Sequence, residues 1–146
     1  MEPSLGGTSR IPLILDELGS TSWKARRRAV EALLRLGAAA LPGLIETLEH
    51  PDSDVRARAA TALGVIGEQG AVKPLLAGLH DPSDIVREAC VRALGRIGGA
   101  EAAEGLVGAL RDDRGSGSLE ARWALRDMSD SGGLLQQLVH RLRGGL

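Results

Sequence analysis

The sequence predicts an all-α protein made of repeated helix pairs. Three observations predict this class: a motif that recurs at a fixed spacing, apolar residues at helical intervals within each copy, and no stretch of strand length in which apolar and polar residues alternate. The composition agrees, since 20 of the 146 residues are Gly, while Phe and Tyr are absent. A core of Leu, Ile, Val and Ala with frequent glycine is typical of short, closely packed helices separated by turns.

The repeat is visible when the chain is compared with itself. Residues 62–67 (ALGVIG) recur as residues 93–98 (ALGRIG), and Leu75 recurs as Leu106, in each case 31 residues farther along. Residues 26–37 form an earlier copy that matches at an offset of 30. So many matched positions exclude coincidence and predict an array of similar units.

The first helix of each unit carries apolar residues at intervals of three and four. In one unit these residues are Val55, Ala59, Ala62, Leu63 and Ile66. We expect the helix to begin behind Asp52-Ser53 or Ser83-Asp84, because these side chains cap free N–H groups. We expect it to end at Gly67 or Gly98.

The second helix of each unit is shorter and begins near a proline. Its apolar residues in the same unit are Ala71, Val72, Leu75, Leu76 and Leu79. Pro42 and Pro74 fall in its first turn, where a missing N–H does least harm. No other regular element is needed to account for a unit.

These elements divide one domain, residues 1–146, into a leading half-repeat and four pairs. The half-repeat covers about 10–19, and the pairs cover about 20–49, 50–80, 81–111 and a degenerate 112–146. The last pair opens with a predicted flexible loop at 113–118 and carries Trp123 and Met128 where other units have smaller residues. Terminal repeats are commonly atypical because one face lacks a neighbouring repeat.

The repeat motif resembles a known family. The pattern VR-x5-AL-G-x-IG followed by AV-x-PLL-x2-L, seen in residues 55–79, is similar to the HEAT repeat, and most of all to the short HEAT-like repeats of the phycobilisome lyase type. The resemblance implies a right-handed α-α superhelix with the second helices on its concave side. It implies little about function, because such repeats occur in lyases, chaperones, adaptors and DNA glycosylase-like proteins.

The residue pattern disfavours catalysis and cofactor binding. Cys90 falls on the buried stripe of a first helix, which predicts a structural thiol, and no Ser/His/Asp or Cys/His spacing is visible. His50 and His80 fall near helix ends, where the helix dipole explains them without a metal. We therefore predict no enzyme activity, no metal and no cofactor.

Charge and hydropathy indicate a cytoplasmic protein. The formal net charge is -1, which argues against a globally basic nucleic-acid binder. The longest apolar runs are too short to span a membrane, and the N-terminus lacks the features of a secretory signal. A lone cysteine fits a reducing compartment.

The second helices carry the predicted partner-binding residues. When their leucines are buried, an exposed ladder remains, formed by Glu46, Glu49, Lys73, Ala77, His80, Glu104, Gly108 and Arg111. Small residues in this region, such as Gly78, either let another backbone approach or only permit tight curvature. The leading function is a non-catalytic scaffold or adaptor that binds another protein or peptide, as a monomer or weak homodimer. The alternative is a bilin lyase-like or lyase-accessory protein.

A basic cluster on one first helix supports a weaker alternative, nucleic-acid binding. The candidate patch consists of Lys24, Arg27, Arg28 and Arg35. Trp23 beside it either stacks on a ligand or covers the N-terminal end of the first repeat. The neighbouring Arg26 aligns with Arg56 and Arg87, which predicts a structural arginine bonded to aspartates between the repeats.

Overall fold

Long and short helices alternate along the part of the chain that the computed structural model describes, residues 10–111 and 117–130. The helices are α1 (Ile11–Leu18), α2 (Trp23–Leu36), α3 (Leu41–Thr47), α4 (Ser53–Ile66), α5 (Val72–Gly78), α6 (Asp84–Ile97), α7 (Ala100–Arg111) and α8 (Gly117–Asp130). Short 3-10 turns, Gly37–Ala40 and Gln69–Ala71, lead into α3 and α5. These ranges contain no strand, and the predicted all-α class is confirmed.

The helices form two layers. The first helices α4, α6 and α8 stack on one another, and each second helix packs against the first helix that follows it, α3 on α4, α5 on α6 and α7 on α8. Helix α1 packs on α2 in the same way, as a leading half-repeat should. This arrangement is the predicted α-α superhelix. The division of the whole chain into one domain stays a prediction, since residues 1–9, 112–116 and 131–146 lie outside the described residues.

The first helices begin at the predicted caps, with one exception. The side chain of Asp52 accepts a hydrogen bond from the N–H of Asp54 at 2.9 Å, and Gly67 ends α4 with a left-handed φ of 77°. Ser83 occupies the N-cap position of α6, but its side chain makes no capping bond. The predicted side-chain cap at Ser83 was therefore wrong. Asp81 accepts the N–H of Ser83 at 2.9 Å, just as His50 accepts the N–H of Asp52 in the preceding unit.

The first helix of the C-terminal unit begins within the predicted loop. Most of the predicted loop 113–118 lies outside the described residues, but Gly117 and Ser118 already belong to α8, so the predicted loop is too long. On α8, Met128 is buried, whereas Trp123 is 57% exposed. The remainder of this predicted unit, from 131 onward, is not described.

Equivalent leucines form the centre of the core in every unit. The first helices contribute Leu33, Leu63 and Leu94, and the second helices contribute Leu44, Leu75 and Leu106; all six are 0% exposed. They recur at the repeat spacing, so each unit places a leucine pair at the same depth. The core is continuous from α1 to α8.

Glycines set the distance between stacked first helices. A Cβ added at Gly64 of α4 would lie 2.8 Å from the Cα of Ala93 on α6, which is closer than real Cβ atoms come to a backbone. A Cβ at Gly95 of α6 would lie 2.8 Å from the Cβ of Ala124 on α8. The backbones therefore approach through positions where no side chain fits.

This contact predicts opposite effects for one substitution at two helical glycines. Gly64→Ala should destabilise the fold by about 1–3 kcal/mol, because the new methyl group meets backbone that cannot move aside. Gly108→Ala on α7 should stabilise by about 0.5–1 kcal/mol, because nothing lies within 4 Å of its added Cβ and alanine favours a helix. Urea unfolding of both variants measures the difference. Equal stabilisation by both would contradict the close helix contact.

Candidate functional site

The eight ladder residues all lie at the surface. Glu46, Glu49, Lys73, Ala77, His80, Glu104, Gly108 and Arg111 are exposed, on the second helices α3, α5 and α7 or just beyond their C-terminal ends. Their accessibility follows from the burial of the leucines on the opposite side of the same short helices. We call the surface that carries them the second-helix face.

A first groove opens between α1, α3 and α4. It has a volume of about 620 Å³, and apolar side chains line it, including Ile11, Leu15 and Val55. Glu46 and Glu49 of the ladder lie on it, and neither forms an ion pair with any described residue. The groove therefore combines an apolar lining with two exposed carboxylates that form no ion pair among the described residues.

Two further charges on the first groove were missed by the sequence analysis. Asp16 of α1 and Arg58 of α4 line it and form an ion pair with an O–N distance of 3.7 Å. The repeat pattern could not reveal this pair, because α1 belongs to a leading half-repeat that has no matched first helix.

A second groove continues from the first, between α3 and α5. Its volume is about 470 Å³, and Leu48, Pro74 and Ala77 are among the side chains that line it. Glu49 and His50 lie on both grooves. His80 lies on the second groove as well. The structure thus joins Glu46, Glu49, Ala77 and His80 into one adjoining pair of grooves, whereas Lys73, Glu104, Gly108 and Arg111 line neither of them.

An ion pair between repeats forms part of the second groove. Arg56 donates two hydrogen bonds to the carboxylate of Asp81, from Nε to Oδ2 at 3.0 Å and from Nη2 to Oδ1 at 3.1 Å. Arg56 also donates to the carbonyls of His50 and Pro51, at 2.8 and 3.0 Å. A bidentate pair with two added backbone bonds holds the link between α3 and α4 against the link between α5 and α6.

The predicted structural arginine is confirmed at two positions and differs at the third. Arg87 forms an ion pair with Asp84 and donates to the carbonyl of Asp81 at 2.6 Å. Arg26 donates only to carbonyls, those of Ser20 and Thr21, at 2.7 and 3.1 Å. It has no carboxylate partner in the described ranges, because the residue equivalent to Asp81 in the following link is His50.

Asp81 stays ionised although it is largely buried. Burial on its own would raise the pKa of this carboxyl group. Hydrogen bonds from Arg56 and from the N–H of Ser83 favour the charged form more strongly, and the pKa is lowered below its ordinary value. Asp81 is therefore a fixed negative charge in the wall of the second groove.

Cys90 is a packing residue. It is 0% exposed, and burial, with a smaller contribution from the charge of Asp81, raises the pKa of its thiol to about 12. Its Sγ occupies the space next to Gly78 where a side chain would otherwise lie. Gly78 thus lets α5 lie close to α6, and it also lines the second groove.

The candidate basic patch lies apart from both grooves, on α2. Lys24, Arg27, Arg28 and Arg35 are exposed there, and none of them lines either groove. Arg27 pairs with Glu31 at 3.1 Å and Arg28 with Glu17 at 3.4 Å. The structure therefore separates the two sets of candidate residues onto different surfaces.

Trp23 lies next to this patch and does not cover the end of the first repeat. It is 60% exposed, with Nζ of Lys24 at 5.9 Å from its ring centre. The prediction that Trp23 shields the first repeat from water was wrong, because Ala25, Ala29 and Leu33 form the buried side of α2.

The described residues form neither a metal-binding cluster nor a membrane-spanning helix. In residues 10–111 and 117–130, no three His, Cys, Asp or Glu side chains come together as a metal-binding group. Among the helices of the same ranges, none has the length and hydropathy needed to cross a bilayer.

Comparisons with known proteins agree with this architecture. A family model described as HEAT repeats matches residues 11–84 and 41–126. Because these matches cover most of the sequence, the chain belongs to the HEAT repeat family. The family predicted from the motif is confirmed. A search of curated proteins finds no significant match.

Two solved structures are similar to this chain. One is a chain in the complex of CpcE and CpcF of phycocyanin lyase from Nostoc sp. PCC7120, with a TM-score of 0.67, 23% sequence identity, and coverage of 93% of this chain and 88% of that chain. This likeness shows a shared fold and agrees with repeats of the phycobilisome lyase type. The other is an engineered protein with a TM-score of 0.48 and 22% identity, covering 89% of this chain and 68% of that one.

The environment of Asp81 predicts a pH-dependent contribution to stability. A carboxyl group with a lowered folded-state pKa stabilises the fold above its unfolded pKa of about 3.9, and this contribution is lost as the pH falls through the lower folded value. Asp81→Asn should therefore be less stable than the natural protein at pH 7, and the difference should shrink below about pH 4. Urea unfolding across this range measures it.

Asp16→Asn is the matched control for this experiment. Asp16 pairs with Arg58, but its side chain is 76% exposed, and exposed ion pairs contribute little to stability. A difference for Asp81→Asn that does not change with pH, or an equal effect of Asp16→Asn, would contradict the assignment of Asp81.

Proposed function

We propose that this chain is a non-catalytic protein-interaction module, a scaffold or adaptor, that binds a segment of another protein on the second-helix face. The observation that carries the proposal is the adjoining pair of grooves, in which Glu49 and His50 belong to both. Their volumes, about 620 and 470 Å³, suit large side chains that a partner inserts as anchors.

The lining of the grooves indicates what kind of segment would bind. Apolar side chains such as Ile11 and Leu15 favour an apolar anchor, because burying it removes apolar surface from water. Glu46 and Glu49 favour a Lys or Arg beside that anchor, because both carboxylates are exposed and form no ion pair among the described residues. The expected partner segment is therefore apolar and basic.

The groove chemistry supports binding over catalysis. The single cysteine lies outside the grooves, fully buried, and its raised pKa keeps the thiol protonated at neutral pH. Asp81, the carboxylate that is fixed in the second groove, is already engaged by Arg56. Neither group has the exposed, reactive form that a nucleophile requires.

A lyase-accessory role is the second candidate. The similarity in fold to a chain of the CpcE and CpcF complex, over 93% of this chain, favours it. At 23% identity the likeness extends to fold, so this candidate depends on whether a bilin pigment is found with the protein. An absorbance scan of the purified protein and of its captured complexes tests this directly.

The scaffold proposal predicts that bulk and charge on the second-helix face abolish partner binding. In Ala77→Arg combined with Gly108→Arg, one arginine enters the second groove and the other extends the obstruction along α7. Both positions are exposed, and nothing lies within 4 Å of an added Cβ at Gly108, so the circular dichroism spectrum should not change. Affinity capture from the source cell, with mass spectrometry, should recover a stoichiometric protein with the natural chain and lose it with this variant.

Arg27→Glu combined with Arg28→Glu is the matched control. It changes two exposed side chains on α2, away from both grooves, so the partner of the second-helix face should still be captured. Any nucleic-acid association through the basic patch should disappear. If this control loses the partner while the double arginine variant retains it, the second-helix face is not the binding site.

A further inference from the structure

The exposed side of α2 differs from the equivalent side of the other first helices. At the positions of Trp23, Lys24, Arg27 and Leu34, helix α4 carries Ser53, Asp54, Ala57 and Gly64, and helix α6 carries Asp84, Ile85, Glu88 and Gly95. Helix α2 thus combines two large apolar residues with cations where α4 has small or acidic residues. The repeat architecture does not account for this combination, because α4 and α6 fold the same way without it.

Leu34 shows why α2 differs from the other first helices. Its equivalents Gly64 and Gly95 are the close contacts of the stack, where an added Cβ would lie 2.8 Å from the next helix. A leucine cannot fit into such a contact, and Leu34 is instead 59% exposed. Helix α2 therefore turns this position to solvent, and the tight stacking begins one helix later, at α4.

The unusual residues lie on one side of the helix. At about 100° per residue, Trp23, Leu34, Arg27, Glu31, Lys24, Arg35 and Arg28 fall within an arc of about 140°. Four of the seven are cations and one is a carboxylate. We call this arc the α2 outer face.

The cations on the α2 outer face are available to a partner. Lys24 and Arg35 have no acidic partner in the described ranges. The side chains of Arg27 and Arg28 are paired but 70% and 67% exposed. Such exposed pairs are weak and can be exchanged for a partner's carboxylates.

The apolar residues on the α2 outer face distinguish between kinds of partner. Trp23 and Leu34 are 60% and 59% exposed and lie about 16 Å apart along the helix axis. A bilayer needs a broad apolar face, but Ala25, Ala29 and Leu33 of α2 lie in the core. Beside Trp23, Leu34 and the half-buried Val30, the exposed side of the helix carries Arg27 and Glu31. A nucleic acid could stack a base on Trp23, but a leucine about 16 Å farther along the helix matches an apolar side chain of a protein better than a sugar-phosphate backbone.

We propose that the α2 outer face is a second interaction surface, which binds an acidic protein segment that places one apolar side chain on Trp23 and another on Leu34. Carboxylates of the segment would meet Lys24, Arg27, Arg28 and Arg35. A second copy of the same face cannot fill this role, because it would bring like charges together. This surface carries opposite charge from the grooves of the second-helix face, so the two surfaces select different partners.

The first test is selection from a library of random peptides displayed on phage, about 20 residues long, against the full chain. A parallel selection uses Arg27→Glu combined with Arg28→Glu, and peptides that bind only the natural chain are kept. The proposal expects these peptides to be rich in Asp and Glu and to carry two large apolar residues about 16 Å apart when helical. Finding no such peptides, or finding basic ones, would overturn it.

The second test measures one selected peptide in solution. Trp123→Phe leaves Trp23 as the sole tryptophan, and its fluorescence should shift to shorter wavelength as the peptide covers it. Trp23→Ala and Leu34→Ala, followed by calorimetry, should each weaken binding by about tenfold. Ala77→Arg on the second-helix face is the matched control and should bind normally. If both alanine variants bind the peptide with unchanged affinity, binding depends on charge attraction alone. Trp23 and Leu34 would then not be anchoring positions, and the proposal would be overturned.

Three other ligands of the α2 outer face are tested with the unmodified protein: a lipid bilayer, a nucleic acid and a second copy of the chain. Vesicles of phosphatidylserine and phosphatidylcholine, and a single-stranded oligonucleotide, should bind more weakly than the peptide at physiological salt. Sedimentation velocity should show no self-association that depends on Arg27 and Arg28. Tighter binding to vesicles or to the oligonucleotide, or self-association lost in the Arg27→Glu, Arg28→Glu variant, would assign the face to that occupant and overturn the proposal.

Discussion

Consecutive first helices touch through Gly64 and Gly95, where the backbone of one helix lies against Ala93 or Ala124 of the next. Because no side chain separates the helices, the distance between neighbouring units is set by backbone and alanine contact. This spacing explains why the core is built from Ala, Leu and Val and has no room for the aromatic residues that most domains use. It also places equivalent leucines at equal depth in each unit, so that one continuous core results.

The link between Arg56 and Asp81 gives the stack its second constraint, on the side of the second helices. It connects the turn that follows α3 to the turn that follows α5. Arg87 of α6 also binds this second turn, through the carbonyl of Asp81. The second helices are short, and the space between their C-terminal ends is the second groove. The grooves are therefore a consequence of how the repeats are joined. Arg56 and Asp81 of the second groove also hold the repeats together, whereas Glu46 and Glu49 form no ion pair among the described residues.

Sequence reasoning recovered the repeating elements because they depend on local pattern. The helix spacing, the cap at Asp52, the stop at Gly67 and the buried leucines all follow from residues close together in the chain. Features set by contacts between units could not be derived this way. Ser83 makes no capping bond, Gly78 makes room for Cys90, and Asp16 joins the first groove from α1. The ladder was predicted as one strip, whereas the described grooves include only its part near α3 and α5.

Helices α4 and α6 form one tightly packed unit through Gly64, whereas α2 does not take part in this close contact. Native-state amide hydrogen exchange tests this most directly, because the slowest amides report the part of a protein that opens only on global unfolding. If α4 and α6 open together, amides near Leu63 of α4 and near Leu94 of α6 should exchange slowest and at similar rates. The amides of α2 should exchange faster. Slowest exchange in α2, or clearly different free energies of opening for α4 and α6, would contradict this packing.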